Sequence, residues 1–418
     1  MLRDYQIEIS DNAVEKLRKY KIVYLAMQVR TGKTLTAFAS AYKYGASKVL
    51  FVTKKKAIDD ILGQVTKSGF LFYIVDVTNY EQLHNYKPIY DIVIIDEAHS
   101  IGAFPKPTNR TKNLKDICKN TPIIYLSGSP SPESYSQLYH QFWVSSYSPF
   151  KQWDNFYKWV RDGFVDVKQR RFNGLLVNDY KNANLEKIKE MTDDLFINFS
   201  QEEAGFTSFV DETILYVKMM PEVYKLADYL KKHKVAKNSD GEVILGDSEV
   251  KLMNKLHQIY SGTVIIDEPE QGHKVIDYTK VEFIKEHFKC KKIAIYYKFK
   301  AELAMLNWIF GNKITFDPKV FNESEDLIFA SQIVAGREGI NLSSADALIF
   351  LNIDFSAVSY WQTRARLQTK DRDKESKIYY IFSVGGIEDK IHKAVSNKQN
   401  FTLSYFKKEY YDLPNHTI

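Results

Sequence analysis

The sequence predicts an α/β protein with two parallel-sheet lobes and helical insertions between them. Three observations lead there. At 418 residues the chain is too long for one ordinary domain. Its 44% hydrophobic and 26% charged residues are those of a globular protein with a real core. Short apolar, β-branched runs, each followed by turn or helix-start residues, come in two sets separated by a long stretch of helical periodicity.

The first set reads as buried strands at IVYLAM (22–27), KVLFVT (48–53), FYIVDV (72–77), DIVIID (91–96) and PIIYLS (122–127). Repeated β-α units of this kind build a parallel sheet. The second set is KKIAIYY (291–297), LIFASQIV (327–334), ALIFLN (347–352) and KIYYIFSV (377–384). Between them, residues 135–280 are rich in Lys, Glu, Tyr and Phe. NLEKIKEMTDDL (184–195) and PEVYKLADYLKKHKV (221–235) repeat apolar residues every three or four positions, as amphipathic helices do. KNSDGEVILGDSE (237–249) reads as a polar loop. The aromatic stretch at 137–160 suits helix packing better than base stacking. The expected division is a first lobe over 1–212, with a helical protrusion at 135–205, and a second over 213–418, with a helical lead-in at 213–270.

Bulk properties exclude several classes. Cys118 and Cys290 lie far apart with no His cluster near them, which argues against a zinc site or a disulfide framework and fits a reducing interior. No run approaches the ~18 to 20 apolar residues of a membrane span, and MLRDYQIEISDN lacks the apolar stretch of a signal peptide. The expectation is a soluble, cytoplasmic chain with no membrane partner. A net charge of +6 is compatible with a polyanionic partner without demanding one.

Chemistry concentrates at two places in the first set. Arg30-Thr31-Gly32-Lys33-Thr34 follows a strand and opens a helix. A glycine-containing turn there offers backbone N–H groups and a positive dipole end to phosphates. Lys33 is placed for the β/γ-phosphates and Thr34 for Mg²⁺. Asp96-Glu97-Ala98-His99 ends the strand YDIVIID, at the sheet edge that faces a ligand crevice. Asp96 is assigned to Mg²⁺, Glu97 to the attacking water, and His99 to coupling with Ser127-Gly128-Ser129-Pro130.

The order RTGKT, DEAH, SGSP resembles motifs I, II and III of superfamily-two helicases, and Tyr5-Gln6 resembles their adenine-contacting element. VTNYEQL (77–83), AGREGINLSSADALIFLN (335–352), YWQTRARLQ (360–368) and GGIEDKIHKAV (385–395) resemble segments of the Swi/Snf-type branch. The resemblance implies two RecA-like lobes, ATP and Mg²⁺ as cofactors, and movement along DNA. It carries ATP contacts onto Tyr5, Gln6, Arg30, Thr31, Gly32, Lys33, Thr34, Gly339, Gln362 and Arg366, with Lys33, Glu97 and Arg366 as the catalytic groups. Backbone grips fall on Lys54, Lys55, Thr78, Asn79 and Arg337, contacts to phosphates that confer little sequence specificity. The chain departs from the pattern at Met27 and Ala365, where Gly is usual, at Thr369, where Arg is usual, at the serines of SGSP, and at Arg337.

The reading is therefore a DNA translocase or helicase, acting as a monomer. A composition rich in Lys, Asn, Ile and Tyr would suit a phage or a compact AT-rich genome. Two other readings share the skeleton: an RNA helicase, and an ATP-switched nucleic-acid-binding subunit that does not translocate. The altered motif at 360–368 sustains the latter.

Overall fold

The computed structural model describes residues 2–172, 175–205, 210–268, 270–336, 342, 344–356, 359–360 and 376–397. The chain divides into two units, Met1–Phe206 and Thr207–Ile418, a few residues ahead of the expected 212/213 division.

The strands of the first unit are β1 (Ile22–Met27), β2 (Lys48–Thr53), β3 (Ile74–Asn79), β4 (Ile92–Asp96), β5 (Ile123–Leu126), β6 (Lys168–Phe172), β7 (Leu175–Asp179) and β8 (Phe196–Phe199). Six of them form one sheet in the order β3-β2-β4-β5-β1-β8, and every pairing is parallel. The continuous apolar runs follow from burial on both faces. Along β1, Ile22, Tyr24 and Ala26 enter one core cluster while Val23, Leu25 and Met27 enter the other. Each fully buried aliphatic side chain there contributes about 1.5–3 kcal/mol.

One face is covered by α1 (Asp4–Tyr20), α2 (Lys33–Tyr44) and α3 (Ile58–Ser68), through residues such as Leu17, Phe38 and Ile61. The other is covered by the helices Asn109–Cys118 and Gln137–Trp143 and by Phe150, Phe156, Trp159 and Phe164. The aromatic stretch at 137–160 is thus largely core. Its rings stack on one another, as Tyr139 does on Phe150 with centroids 6.2 Å apart, and on their neighbours, as Trp159 does on Phe164 at 4.9 Å.

The second unit repeats the plan. Its strands are β9 (Val210–Val217), β10 (Val235–Lys237), β11 (Val243–Leu245), β12 (Thr263–Ile266), β13 (Gly272–Val275), β14 (Ile293–Tyr297), β15 (Ile314–Thr315), β16 (Ile328–Gln332), β17 (Ala347–Phe350) and β18 (Ser376–Ser383). Six form an all-parallel sheet in the order β15-β16-β14-β17-β18-β9. Segment 385–395 contributes to the helix Glu388–Ser396, docked by the fully buried ion pair between Glu388 and Lys280 at 2.6 Å.

The two helical insertions expected from the sequence are mixed. The protrusion holds short helices but also the β6–β7 antiparallel hairpin, and β8 within it joins the main sheet beside β1. The lead-in begins with β9, which pairs with β18 over its whole length, and carries the β10–β11 and β12–β13 hairpins. β8 and β9 are edge strands, so their sequences (FINF, VDETILYV) mix polar with apolar residues and lack the run that marks a central strand.

Candidate nucleotide site

The order β2-β4-β5-β1 sets four carboxyl-terminal strand ends side by side, at Thr53, Asp96, Leu126 and Met27. In an open parallel sheet that edge is where ligands bind. Lys33, Asp96, Glu97 and Ser127 all belong to it.

β1 runs straight into the turn 28–32, and α2 starts at Lys33. Gly32 is the residue before the helix, in the left-handed region at φ 82°, and no side chain caps the first turn. The Thr31 N–H is taken by the Gln28 carbonyl at 3.4 Å, and the first turn of α2, with the helix dipole behind it, is directed toward an anion. Met27, where the resembling motif has Gly, is the last residue of β1 and packs in the core.

α1 locks the loop from behind. The buried Gln6 amide donates to the Gly32 carbonyl at 3.2 Å and to Thr36 Oγ1 at 3.4 Å, and its own Oε1 accepts from the Arg3 N–H at 2.9 Å. Tyr5 OH donates to the Thr31 carbonyl at 3.2 Å, and its ring stacks on Phe199 at 4.7 Å. A Cβ at Gly32 would stand 2.3 Å from Gln6 Nε2, on a backbone conformation that L side chains avoid. Gly32→Ala is expected to lower stability by more than about 1 kcal/mol and to weaken nucleotide binding, read by thermal melting with and without ATP. An unchanged melt would show that the loop does not depend on this packing.

Asp96 ends β4 with its carboxylate accepting from Thr53 Oγ1 at 2.8 Å. Withdrawal from water, reinforced by the Glu97 charge, pushes its pKa up to about 6, against the opposing pull of Lys33 and Thr53. A carboxylate so placed suits a divalent cation, which would relieve both the desolvation and the repulsion. Among the described residues no group of three or more His, Cys, Asp or Glu side chains forms a protein-only metal cage. Mg²⁺ does not need one, since it keeps waters and uses one or two protein oxygens beside substrate phosphates.

Because the folded state holds the Asp96 proton more tightly than the unfolded chain, its contribution to stability is present below about pH 4 and is lost as pH rises through about 6. Asp96→Asn cannot ionise. Without nucleotide it is expected to melt above wild type at pH 7, by several degrees, with the gap closing at pH 4. A gap that does not change with pH would show that the carboxylate is not destabilised by its surroundings.

Glu97 sits at φ 51°, a left-handed conformation for a side-chain-bearing residue. Its Oε2 lies 3.4 Å from His99 Nδ1, and the same nitrogen lies 3.0 Å from Ser127 Oγ. Ser127 Oγ also accepts from the Ser129 N–H at 3.1 Å, and a Cβ on Gly128 would be 3.5 Å from the Met27 carbonyl. His99 thus joins the Glu97 carboxylate to a turn that packs against the start of the loop 28–32.

The residues expected from the sequence to grip a nucleic-acid backbone are placed as follows. Lys54 follows β2 half-buried, and Lys55 is exposed. Thr78 and Asn79 end β3 at 3% and 7% exposure, and Asn79 Oδ1 accepts from the N–H groups of Glu81 and Gln82. Their neighbour Tyr80 is buried and donates its hydroxyl to the Asp96 carbonyl, which ties the VTNYEQL segment to the acidic strand end. Gly339, Gln362, Arg366 and Arg337 lie outside the described residues.

Several supporting residues carry no motif signal. Thr53 is marked only by ending a strand. Gln141, fully buried in the helix Gln137–Trp143, accepts from Tyr24 OH at 2.8 Å and donates to the Pro130 carbonyl at 2.8 Å, holding the SGSP turn to β1. Gln201 donates to the Val29 carbonyl at 3.0 Å, and its N–H donates to Gln28 Oε1 at 2.9 Å.

Residues 1–68 match a family model described as ResIII, "Type III restriction enzyme, res subunit". That span holds α1, β1, the turn 28–32 and the start of α2. No curated protein matches the chain. Solved structures similar to it include the Sulfolobus solfataricus SWI2/SNF2 ATPase core in complex with dsDNA, at 18% identity and a TM-score of 0.42, over 98% of this chain and 93% of that one.

Proposed function

We propose that the chain hydrolyses Mg²⁺-ATP to move along or remodel DNA. The observation that carries the nucleotide half is the convergence on one sheet edge of Lys33, which opens α2 after β1, with Asp96 and Glu97 at the end of β4. Asp96 there carries a desolvated carboxylate whose pKa responds to both of the others. The ResIII match over residues 1–68 supports the same half, since it spans the Tyr5-Gln6 element and the loop. Thr34 and Asp96 would hold Mg²⁺, which when bound supplies charge neutralisation at the phosphates.

The chain's own residues have distinct tasks. Lys33 and the N–H groups of the first turn of α2 bind phosphate. Tyr5, Gln6, Arg30 and Thr31 shape the loop and the base side. Glu97 orients water and takes its proton, and His99 passes the state of that carboxylate to the Ser127 turn. Arg366 is assigned the second cation at the transferring phosphate, and Gly339 and Gln362 further nucleotide contacts, by the resemblance of their segments. The DNA half rests on that resemblance together with the net charge of +6, with Lys54, Lys55, Thr78, Asn79 and Arg337 as sequence-independent grips.

ATP-driven displacement of a third strand from a duplex tests movement. Displacement that requires ATP and stops in Lys33→Ala supports a translocase. DNA-dependent hydrolysis without displacement points to the switch, and displacement on RNA alone to an RNA helicase.

A further inference from the structure

A carboxylate that orients water must be held in place, and the backbone of Glu97 does not hold it unaided. Glu97 stands at φ 51°. A residue with a Cβ stays in that region only where its surroundings fix it. The torsion relates the Asp96–Glu97 peptide plane to the rest of Glu97. Whatever orients that plane therefore aims the carboxylate.

Tyr80 orients the plane. Its hydroxyl donates to the Asp96 carbonyl. Its ring is 2% exposed, in the core cluster that also holds Ile95, Ala98 and Ile101 on either side of the acidic pair. Burial raises the phenol well above its ordinary range, so the hydroxyl keeps its proton and remains a donor. Tyr80 is braced in turn. Asn79 Oδ1 accepts from the N–H groups of Glu81 and Gln82 at 3.0 and 3.1 Å, which closes the turn around it. Glu81 pairs with Arg110 at 2.5 Å. Arg110 lies on the helix Asn109–Cys118, and on that helix the buried Thr111 donates its hydroxyl to the Ile101 carbonyl at 3.0 Å. One helix thus ties down both the turn that carries Tyr80 and the short helix that follows Glu97. The exposed ion pair adds little to this frame. The buried hydrogen bonds of Tyr80 and Thr111 carry it.

We propose that Tyr80 is a positioning residue for hydrolysis: its hydroxyl sets the Asp96–Glu97 peptide so that the Glu97 carboxylate meets the attacking water. This rests on the part given to Glu97 under Proposed function and names a residue on which that part depends.

The test is Tyr80→Phe, which keeps the ring and removes one oxygen, made both in the wild-type chain and in Glu97→Gln. Single-turnover hydrolysis, equilibrium binding of a fluorescent ATP analogue and thermal melting are read for all four proteins. In the wild-type background hydrolysis is expected to slow by about 10- to 100-fold, the range for a reacting group displaced by up to about 1 Å. Nucleotide affinity is expected to stay within about twofold, and the midpoint to fall by no more than about 5 °C, as one unpaired carbonyl allows. In Glu97→Gln the same substitution is expected to change the rate by less than about twofold, since the group it positions is already gone. p-Aminophenylalanine at position 80, which restores a donor on the same ring, is expected to recover the rate to within about threefold of wild type. Unchanged hydrolysis in Tyr80→Phe overturns the proposal. An equal fall in both backgrounds does so too, because the hydroxyl would then act independently of Glu97. Loss of nucleotide affinity in step with the rate, or no recovery with the restored donor, makes Tyr80 a support of the fold and overturns it as well. Normal hydrolysis in Tyr80→Phe beside a slow Glu97→Gln defeats this inference alone, whereas a Glu97→Gln chain that hydrolyses at the wild-type rate defeats the functional reading with it.

Discussion

Lys33→Ala is expected to reduce ATP turnover by at least about 10²- to 10³-fold while the thermal midpoint of the nucleotide-free chain moves by no more than about 2 °C. The rate effect follows from position. Lys33 is the first residue of α2, directly after a glycine in the left-handed region, so its side chain starts where the helix N–H groups converge. Removing it takes one full charge from the phosphates. The small stability effect follows from its surroundings. Lys33 is half-buried and favours the ionised form of Asp96, so its loss leaves that carboxylate more easily protonated at little net cost. Phosphate release gives the rate and calorimetry the midpoint. A large drop in melting temperature would make Lys33 a structural residue, and near-normal turnover would remove it from the site.

Glu97→Gln is expected to bind nucleotide about as well as wild type and to hydrolyse it about 10²- to 10⁴-fold more slowly, the range for loss of a positioned general base. The swap keeps the shape of the side chain and an oxygen that can accept from His99 Nδ1, so the link to Ser127 is preserved while the proton acceptor is lost. The left-handed backbone at Glu97 is held on one side by the Asp96 carbonyl, which accepts from Tyr80, and on the other by the short helix Ala98–Ile101. A glutamine occupies that conformation as readily as a glutamate. Equilibrium binding of a fluorescent ATP analogue, set beside single-turnover hydrolysis, separates the two effects. Loss of binding as severe as in Lys33→Ala would assign Glu97 to the fold of the loop.

The central strands were legible because burial on both sheet faces demands unbroken apolar residues. β1, β2 and β4 have that form, and the chemistry-bearing residues sit at the ends of those runs. β8 and β9 lie at sheet edges, where one flank meets solvent, and their polar residues erase the signal. The β6–β7 hairpin has a local cue, the Asn-Gly pair at 173–174 between KQRRF and LLVND, which a reading of 135–205 as a helical protrusion passes over. Within the site, the phosphate loop and the acidic pair follow from contiguous residues. The contacts of Thr53, Gln6 and Gln141 are long-range, with partners 43, 26 and 117 positions away, and no local pattern encodes them. Thr78 and Asn79 show the reverse. Their segment is legible by pattern, and the burial of both, with Asn79 closing its own turn, adds a part in shaping the end of β3 that the pattern does not carry.

Steady-state phosphate release at saturating Mg²⁺-ATP, with no nucleic acid and with duplex DNA, single-stranded DNA or RNA added in turn, is the most direct measurement. Duplex DNA is expected to raise the rate by tenfold or more over the nucleic-acid-free chain, single-stranded DNA and RNA to raise it less, and Lys33→Ala to abolish turnover under all four conditions. A wild-type rate that no nucleic acid changes, or a rate in Lys33→Ala equal to wild type, would contradict an ATP-driven motor on DNA built around this loop.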